Sequence, residues 1–205
     1  MNVFVKICGL CTEEDVDGVA ALKPDAMGFV FWRKSKRAVS IERAAEWSRG
    51  VPKGIAKVGV FVDASIAEIA RAIRQVKLDI VQLHGHEPPE LVELLPTKVW
   101  RVWRPGRESG ELPDAYPVDA FLVDSYSSAA PGGTGQLADW DEARAFVKSV
   151  KTPVVLAGGL KPDNVREAVK KVRPWGVDVS SGVEMRPGKK DLELVREFIK
   201  QCRKR

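Results

Sequence analysis

Eight short apolar runs, at residues 3–7, 26–31, 57–62, 80–83, 99–103, 120–123, 154–157 and 176–179, recur along this 205-residue chain. They are rich in Val, Ile, Phe and Leu and barely alternate with polar residues. Strands read this way when both faces are covered, as in a parallel sheet flanked by helices. Helix start signals fall between them. Thr12 heads Glu13-Glu14-Asp15 as a capping box would, Ser40 precedes Ile41-Glu42-Arg43, and Ser65 precedes a helical pattern over 66–76. Pro88-Pro89 suits a first helical turn, Lys161-Pro162-Asp163-Asn164 opens a helix over 165–172, and Asp191 begins the last one. The fifth connection, 105–117, holds three prolines and two glycines, so its helix is expected to be short or missing. Eight β-then-α units in one chain of this length predict an α/β fold, a single (β/α)8 TIM barrel over residues 1–205. The rival, an open doubly wound sheet, wants a glycine-rich fingerprint after its first strand, and Cys8-Gly9-Leu10-Cys11 lacks it.

Bulk properties narrow the class. Apolar residues are 44% of the chain, enough for a core, and no run approaches the ~20 apolar residues of a membrane span. The first residues read as a strand without a secretion signal, and three cysteines argue for reduced thiols, so a cytoplasmic protein is expected. The net charge of +5 is scattered, except for a basic tail at 200–205. Without interleaved aromatic residues that tail suits a solvated helix end rather than a nucleic-acid arm. Neither nucleic acid nor a membrane is an expected partner, and a homodimer is compatible with the sequence.

In a barrel of this kind chemistry sits just past the strands' C-terminal ends. Those positions hold Cys8, Arg37, Asp63, His84, Arg104, Asp124, Gly158-Gly159 and Ser180-Ser181-Gly182. The loops after strands seven and eight commonly hold a phosphate on backbone N–H groups. Gly158-Gly159 leaves the backbone open to close approach, and Ser180-Ser181-Gly182 adds hydroxyl donors. A phosphorylated small molecule is therefore the expected ligand. The alternative is that these glycines only serve tight turns. Cys8 and Asp124, at two distant strand ends, suit a base and an acid over one pocket. Cys8 as a buried small hydrophobe and Asp124 as a loop cap are the competing readings. The long segment 125–139, with Pro131-Gly132-Gly133-Thr134-Gly135, reads as a flap that would desolvate and raise a carboxyl beneath it. Cys8-x-x-Cys11 has zinc spacing, but only His84 and His86 are there to complete a site, so no metal is expected.

Taken in order, Lys6-Ile7-Cys8-Gly9, Gly28-Phe29-Val30-Phe31, Ser35-Lys36-Arg37, Val58-Gly59-Val60-Phe61-Val62, Val81-Gln82-Leu83-His84-Gly85, Gly132-Gly133-Thr134-Gly135, Ala157-Gly158-Gly159-Leu160 and the stretch 176–184 resemble the phosphoribosylanthranilate isomerases of tryptophan biosynthesis. The resemblance implies Cys8 as general base, Asp124 as general acid and Arg37 on the anthranilate carboxylate. It implies Gly158, Gly159, Ser180, Ser181 and Gly182 at the phosphate, with Lys6, Gln82 and His84 as further substrate-binding positions. The implied reaction is an Amadori rearrangement of N-(5-phosphoribosyl)anthranilate to 1-(2-carboxyphenylamino)-1-deoxyribulose 5-phosphate, the third step from chorismate, needing no metal or organic cofactor. In it, a thiolate whose pKa is lowered beside Lys6 or by the substrate cation takes a proton. Another phosphosugar isomerase or epimerase on the same barrel is the alternative, and a non-catalytic basic barrel that binds nucleic acid or protein is a third. The chain departs from the family pattern at Cys11, at Ala138 and along 99–107 with Trp100, Trp103 and Arg104.

Overall fold

The eight runs form eight parallel strands that close on themselves. In the computed structural model, which describes residues 3–104, 116–124 and 139–204, these are β1 (Phe4–Cys8), β2 (Ala26–Val30), β3 (Ala56–Phe61), β4 (Ile80–Leu83), β5 (Lys98–Trp103), β6 (Ala120–Val123), β7 (Val154–Leu156) and β8 (Gly176–Val179). They pair in sequence order, and β8 returns to β1. The expected strand bounds hold to within one residue. The fifth connection at 105–115 and the glycine-rich segment at 125–138 lie outside the described residues.

Why the runs barely alternate is visible in the packing. Side chains of odd-numbered residues in the first strands, such as Val5, Ile7, Met27 and Phe29, pack outward under the helices. A second cluster fills the interior: Ala26, Val58, Ile80, Trp100, Val102, Ala120, Leu122, Val155 and Ala157, with Phe4 against them. At the strands' N-terminal end Phe4 stacks on Trp175 with centroids 4.5 Å apart and meets Trp100 edge-on at 5.8 Å. Interior positions along β1 are thus Phe4, Lys6 and Cys8, and polarity rises toward the C-terminal end.

Helices α1 (Glu13–Ala21), α2 (Ile41–Trp47), α3 (Ile66–Ala72), α4 (Pro89–Glu93), α5 (Trp140–Ser149), α6 (Val165–Val172) and α7 (Leu192–Arg203) follow the strands. Four of them carry the caps expected from the sequence. The hydroxyls of Thr12, Ser40 and Ser65 accept from the N–H groups of Asp15, Arg43 and Glu68, and the Asp191 carboxylate accepts from Glu193 and Leu194. The basic tail ends α7: Lys200 pairs with Glu197, and Arg203 donates to the carbonyl of Lys23. Among the described residues no helix is long and apolar enough to cross a membrane.

Two features depart from expectation. The helical pattern over 66–76 splits, α3 giving way to a wider turn at Ile73–Lys77 whose last residue is left-handed at φ 55°. That turn keeps Val76 buried while delivering Leu78 into the approach to β4. After β8, the chain makes a hairpin of β9 (Glu184–Arg186) and β10 (Lys189–Lys190), which no sequence periodicity announced.

The loops after β7 and β8 touch at one tight point. A Cβ at Gly182 would lie 1.9 Å from the carbonyl oxygen of Leu160. Backbone cannot retreat cheaply, so Gly182→Ala is expected to destabilise the fold by about 1–3 kcal/mol. Urea unfolding of the two chains checks it, and an unchanged midpoint would refute the close approach.

Candidate active site

The interior positions at the C-terminal ends of the strands converge on one cleft of ≈ 620 Å³ that includes its open mouth. Cys8 of β1 and Asp124, just past β6, both line it, together with Arg37, Gln82, His84 and Ser180. Val30, Trp32, Val60 and Val62 form an apolar wall. The two proposed proton-transfer groups therefore face the same space, and the sulfur is not sealed into hydrocarbon.

Lys6 does not reach the cleft wall. It is fully buried behind the sulfur, and its Nζ donates to Asp178 Oδ1 at 3.0 Å. Burial opposes its charge, but Asp178 and Cys8 outweigh that, so its pKa is raised and the ammonium persists. Gly28 on β2 makes the room: a Cβ there would stand 2.7 Å from Cys8 Sγ and 3.1 Å from Lys6 Cε.

Burial also pushes the Cys8 thiol up, against the pull of Lys6 and with a further push from Asp178. The expectation of a thiol lowered beside Lys6 is reversed. Asp178 takes up much of the ammonium's field, and dehydration of the thiolate wins.

Asp124 behaves as a general acid requires. Burial, reinforced by Asp178, raises its pKa to about 7 while Arg104 and Lys6 pull the other way. Burial, with the cations Arg104 and Lys6, lowers His84 to about 3, so its imidazole is neutral at physiological pH. His84 Nε2 stands 3.8 Å from Asp124 Oδ2, too far for a hydrogen bond. Among the described residues neither that nitrogen nor Gln82 Oε1 has a hydrogen-bond partner, although both are buried. Polar atoms left so beside a cleft suit a polar ligand. Arg104, from the unusual strand-five segment, donates from Nη2 to the carbonyl of His84 at 3.1 Å. Its companions take other duties: Trp100 fills the interior, and Trp103 stacks on Phe146 in the outer layer.

The loop after β7 turns through Gly158 and Gly159 at φ 82° and 63°. Asn164 braces it, accepting from the N–H of Lys161 at 2.8 Å and donating to the carbonyl of Gly159 at 3.0 Å. Ser181–Val183 is a single tight turn after β8. Of the expected phosphate group, Ser180 lines the cleft, and Gly158, Gly159, Ser181 and Gly182 lie on the neighbouring β7 and β8 loops. Cys11 donates from Sγ to the carbonyl of Gly9 at 3.4 Å. Among the described residues no three His, Cys, Asp or Glu side chains converge as a metal site needs.

The family model of N-(5'phosphoribosyl)anthranilate (PRA) isomerase matches residues 5–201. The chain belongs to this family. An N-(5'-phosphoribosyl)anthranilate isomerase of Geobacter sp. (strain M21) is 47% identical over 202 residues, covering 98% of each chain. One from Caldanaerobacter subterraneus subsp. tengcongensis is 43% identical, again at 98% coverage of each. Among solved structures, the phosphoribosylanthranilate isomerase of Thermotoga maritima superposes with a TM-score of 0.85 at 36% identity, covering 98% of each chain. A phosphoribosylanthranilate isomerase in complex with reduced 1-(o-carboxyphenylamino)-1-deoxyribulose 5-phosphate gives 0.81 at 35% identity over the same coverage.

Within this family's barrel, reasoning from the sequence missed Asp178, Trp32, Glu184 and Lys190. Asp178 had a signal, a carboxylate inside an apolar run and two residues before Ser180, hence on the same face. Lys6 is the cation that pulls the thiol down most, and its removal should raise the thiol further. Lys6→Met is expected to slow alkylation of Cys8 by iodoacetamide at mildly alkaline pH, about tenfold for each unit the thiol rises. Mass spectrometry of the Cys8 peptide reads it, and an unchanged rate would show that Lys6 does not tune the thiol.

Proposed function

We propose that this chain converts N-(5'-phosphoribosyl)anthranilate to 1-(2-carboxyphenylamino)-1-deoxyribulose 5-phosphate, as a cytoplasmic enzyme of tryptophan biosynthesis with residues 1–205 as one catalytic domain. The observation that carries it is Cys8 and Asp124 on one cleft, the carboxyl raised to about 7. Family membership favours it over another phosphosugar isomerase on the same barrel. A structure with a TM-score of 0.81 is of monomers generated from the dimeric phosphoribosylanthranilate isomerase of Thermotoga maritima, and the dimeric parent supports a homodimer here.

The chemistry follows from the residues. Protonated Asp124 gives its proton to the furanose ring oxygen while the aryl nitrogen's lone pair opens the C1–O bond, leaving an iminium at C1. That cation acidifies the C2–H, and the Cys8 thiolate removes the proton. The electron pair moves into C1=C2, and the resulting enolamine gains a proton at C1 as its C2 hydroxyl loses one, giving the aminoketone. The iminium is the electron sink. Its positive charge, beside Lys6, favours the thiolate that burial by itself disfavours.

Arg37 meets the aryl carboxylate, with the ring against Trp32, Val60 and Val62. Gln82 and His84 present their unpaired polar atoms to the sugar hydroxyls, and Lys6 backs the sulfur. Gly158, Gly159, Ser180, Ser181 and Gly182 take the phosphate through backbone N–H groups and hydroxyls.

The purified chain should quench phosphoribosylanthranilate fluorescence without added metal. Cys8→Ala and Asp124→Asn should each lower kcat by about 10²–10⁴-fold with circular dichroism unchanged. Near-normal turnover in either would refute that residue's role.

The pH dependence has a definite sign. The productive form carries its proton on Asp124 and none on Cys8, yet burial ranks the thiol above the carboxyl. Below about pH 7 both are protonated and the productive form is scarce. Above that, the pair shares one proton and a constant small fraction is productive, until the thiol also ionises. Thus kcat/KM should rise with pH to about 7, level off, and fall only in the thiol's range. A profile that declines through pH 7 would overturn this ranking.

A further inference from the structure

The hairpin β9–β10 is tied to the site by buried charges that the proposed chemistry does not use. Glu184, its first residue, has a side chain only 3% exposed and accepts from Arg37 Nε at 2.8 Å and Nη2 at 2.7 Å. Lys190, at the other end and fully buried, donates from Nζ to Glu184 Oε1 at 2.9 Å and to the carbonyl of Ser180 at 3.0 Å. Asp15 of α1 fastens the hairpin, accepting from the Lys190 N–H at 3.1 Å and pairing with Lys189 at 2.9 Å. Gly9 lets the group close: a Cβ there would stand 2.6 Å from Arg37 Cδ and 2.9 Å from Ser180 Oγ.

The geometry points to Glu184, braced by Lys190, as the positioning residue that aims Arg37 at the substrate's aryl carboxylate. It rests on the reading that Arg37 binds that carboxylate.

The stereochemistry of guanidinium supports it. Arg37 has five N–H donors in one plane. Glu184 takes the side edge, Nε and Nη2, which leaves the parallel fork of Nη1 and Nη2 for a second carboxylate. Holding the plane before binding removes the side-chain ordering cost that a loose arginine would incur. Charge supports it too. Arg37 with Glu184 alone would be neutral and a poor anion site, and Lys190 restores a net positive triad. Burial works against the Glu184 charge, and Arg37 and Lys190 outweigh it, holding the carboxyl below its usual range. The carbonyl of Ser180 holds the same Lys190 Nζ from its other side, so the ammonium keeps its place beside Glu184.

The test is a cycle of Arg37→Ala, Glu184→Gln and the pair, with KM, kcat and the inhibition constant of inorganic phosphate measured in each. Glu184→Gln alone should raise KM roughly tenfold with kcat within about twofold. In the Arg37→Ala background it should add less than about twofold. The inhibition constant of phosphate should stay within about twofold of the parent, because the phosphate end is intact. Additive effects on KM, or phosphate affinity falling in step with substrate affinity, would mark Glu184 as a general structural residue and overturn the proposal. If Arg37→Ala leaves KM unchanged, the carboxylate role of Arg37 fails and this proposal falls with it, while a raised KM there with additivity sinks this proposal alone. Should Glu184→Gln not fold, Glu184→Gln with Lys190→Met removes both buried charges together, and the same KM rise and the same non-additivity with Arg37→Ala are required.

Discussion

A lysine ammonium inside a barrel must be answered by another charge, and the pairing of Lys6 with Asp178 at 3.0 Å is that answer. Burying either ion alone costs several kcal/mol even after relaxation. The closure of the sheet places them face to face, since β1 pairs with β8 and Lys6 registers with Asp178. Their level divides the interior. Toward the N-terminal end lie Ala26, Trp100 and Ala120, and beyond the pair stand Cys8, His84 and Asp124. The cleft is built above a cation that does not itself line it.

Dehydration acts on Cys8, His84 and Asp124 above that pair, and its sign differs with the charge each carries. It raises Asp124 and Cys8 and lowers His84. For the proposed acid this is the useful direction. For the proposed base it makes the thiolate scarce and each thiolate a stronger base, a trade that general-base catalysis tolerates when the substrate brings its own positive charge. A cleft this dry would be a poor place to ionise a thiol at rest. It is a good place to do so once an iminium lies beside the sulfur, because the field between opposite charges is weakly screened there. Neutral His84 fits the same logic, adding polarity beside Asp124 without a positive charge that would depress the acid.

The barrel was legible because parallel strands covered on both faces leave apolar runs, and because serine, threonine and aspartate caps mark where helices begin. That Cys8 and Asp124 share a cleft was legible for a related reason, since both end such runs. What escaped depended on contacts far apart in sequence. Nothing local tells that Trp100 faces the axis while Trp103 faces Phe146, because that follows from strand parity after closure. Glu184 and Lys190 sit in a short hairpin beyond the last strand, with no period to betray it. Their meaning comes from Arg37, 147 residues from Glu184, and from Asp15, 175 residues from Lys190. The lowered thiol expected beside Lys6 failed because burial of the sulfur outweighs the pull of that cation, with Asp178 adding to the push.

Stability and chemistry share one constraint, the register of the strands. Reading each strand from its start, interior positions step from Phe4 to Lys6 to Cys8, from Ile80 to Gln82 to His84, from Ala120 to Leu122 to Asp124, and from Gly176 to Asp178 to Ser180. The first members fill the closed end of the barrel, where Phe4, Trp100 and Trp175 pack ring against ring. A slip of one residue would turn every one of these side chains to the other face. It would place Lys6 and Asp178 under the helices, without water and without each other, and would send Val5 and Ile7 into the cleft. The aromatic cluster at one end therefore does more than cover the barrel's floor. By penalising any other register it determines which thiol and which carboxyl look up into the cleft at the opposite end, without touching either.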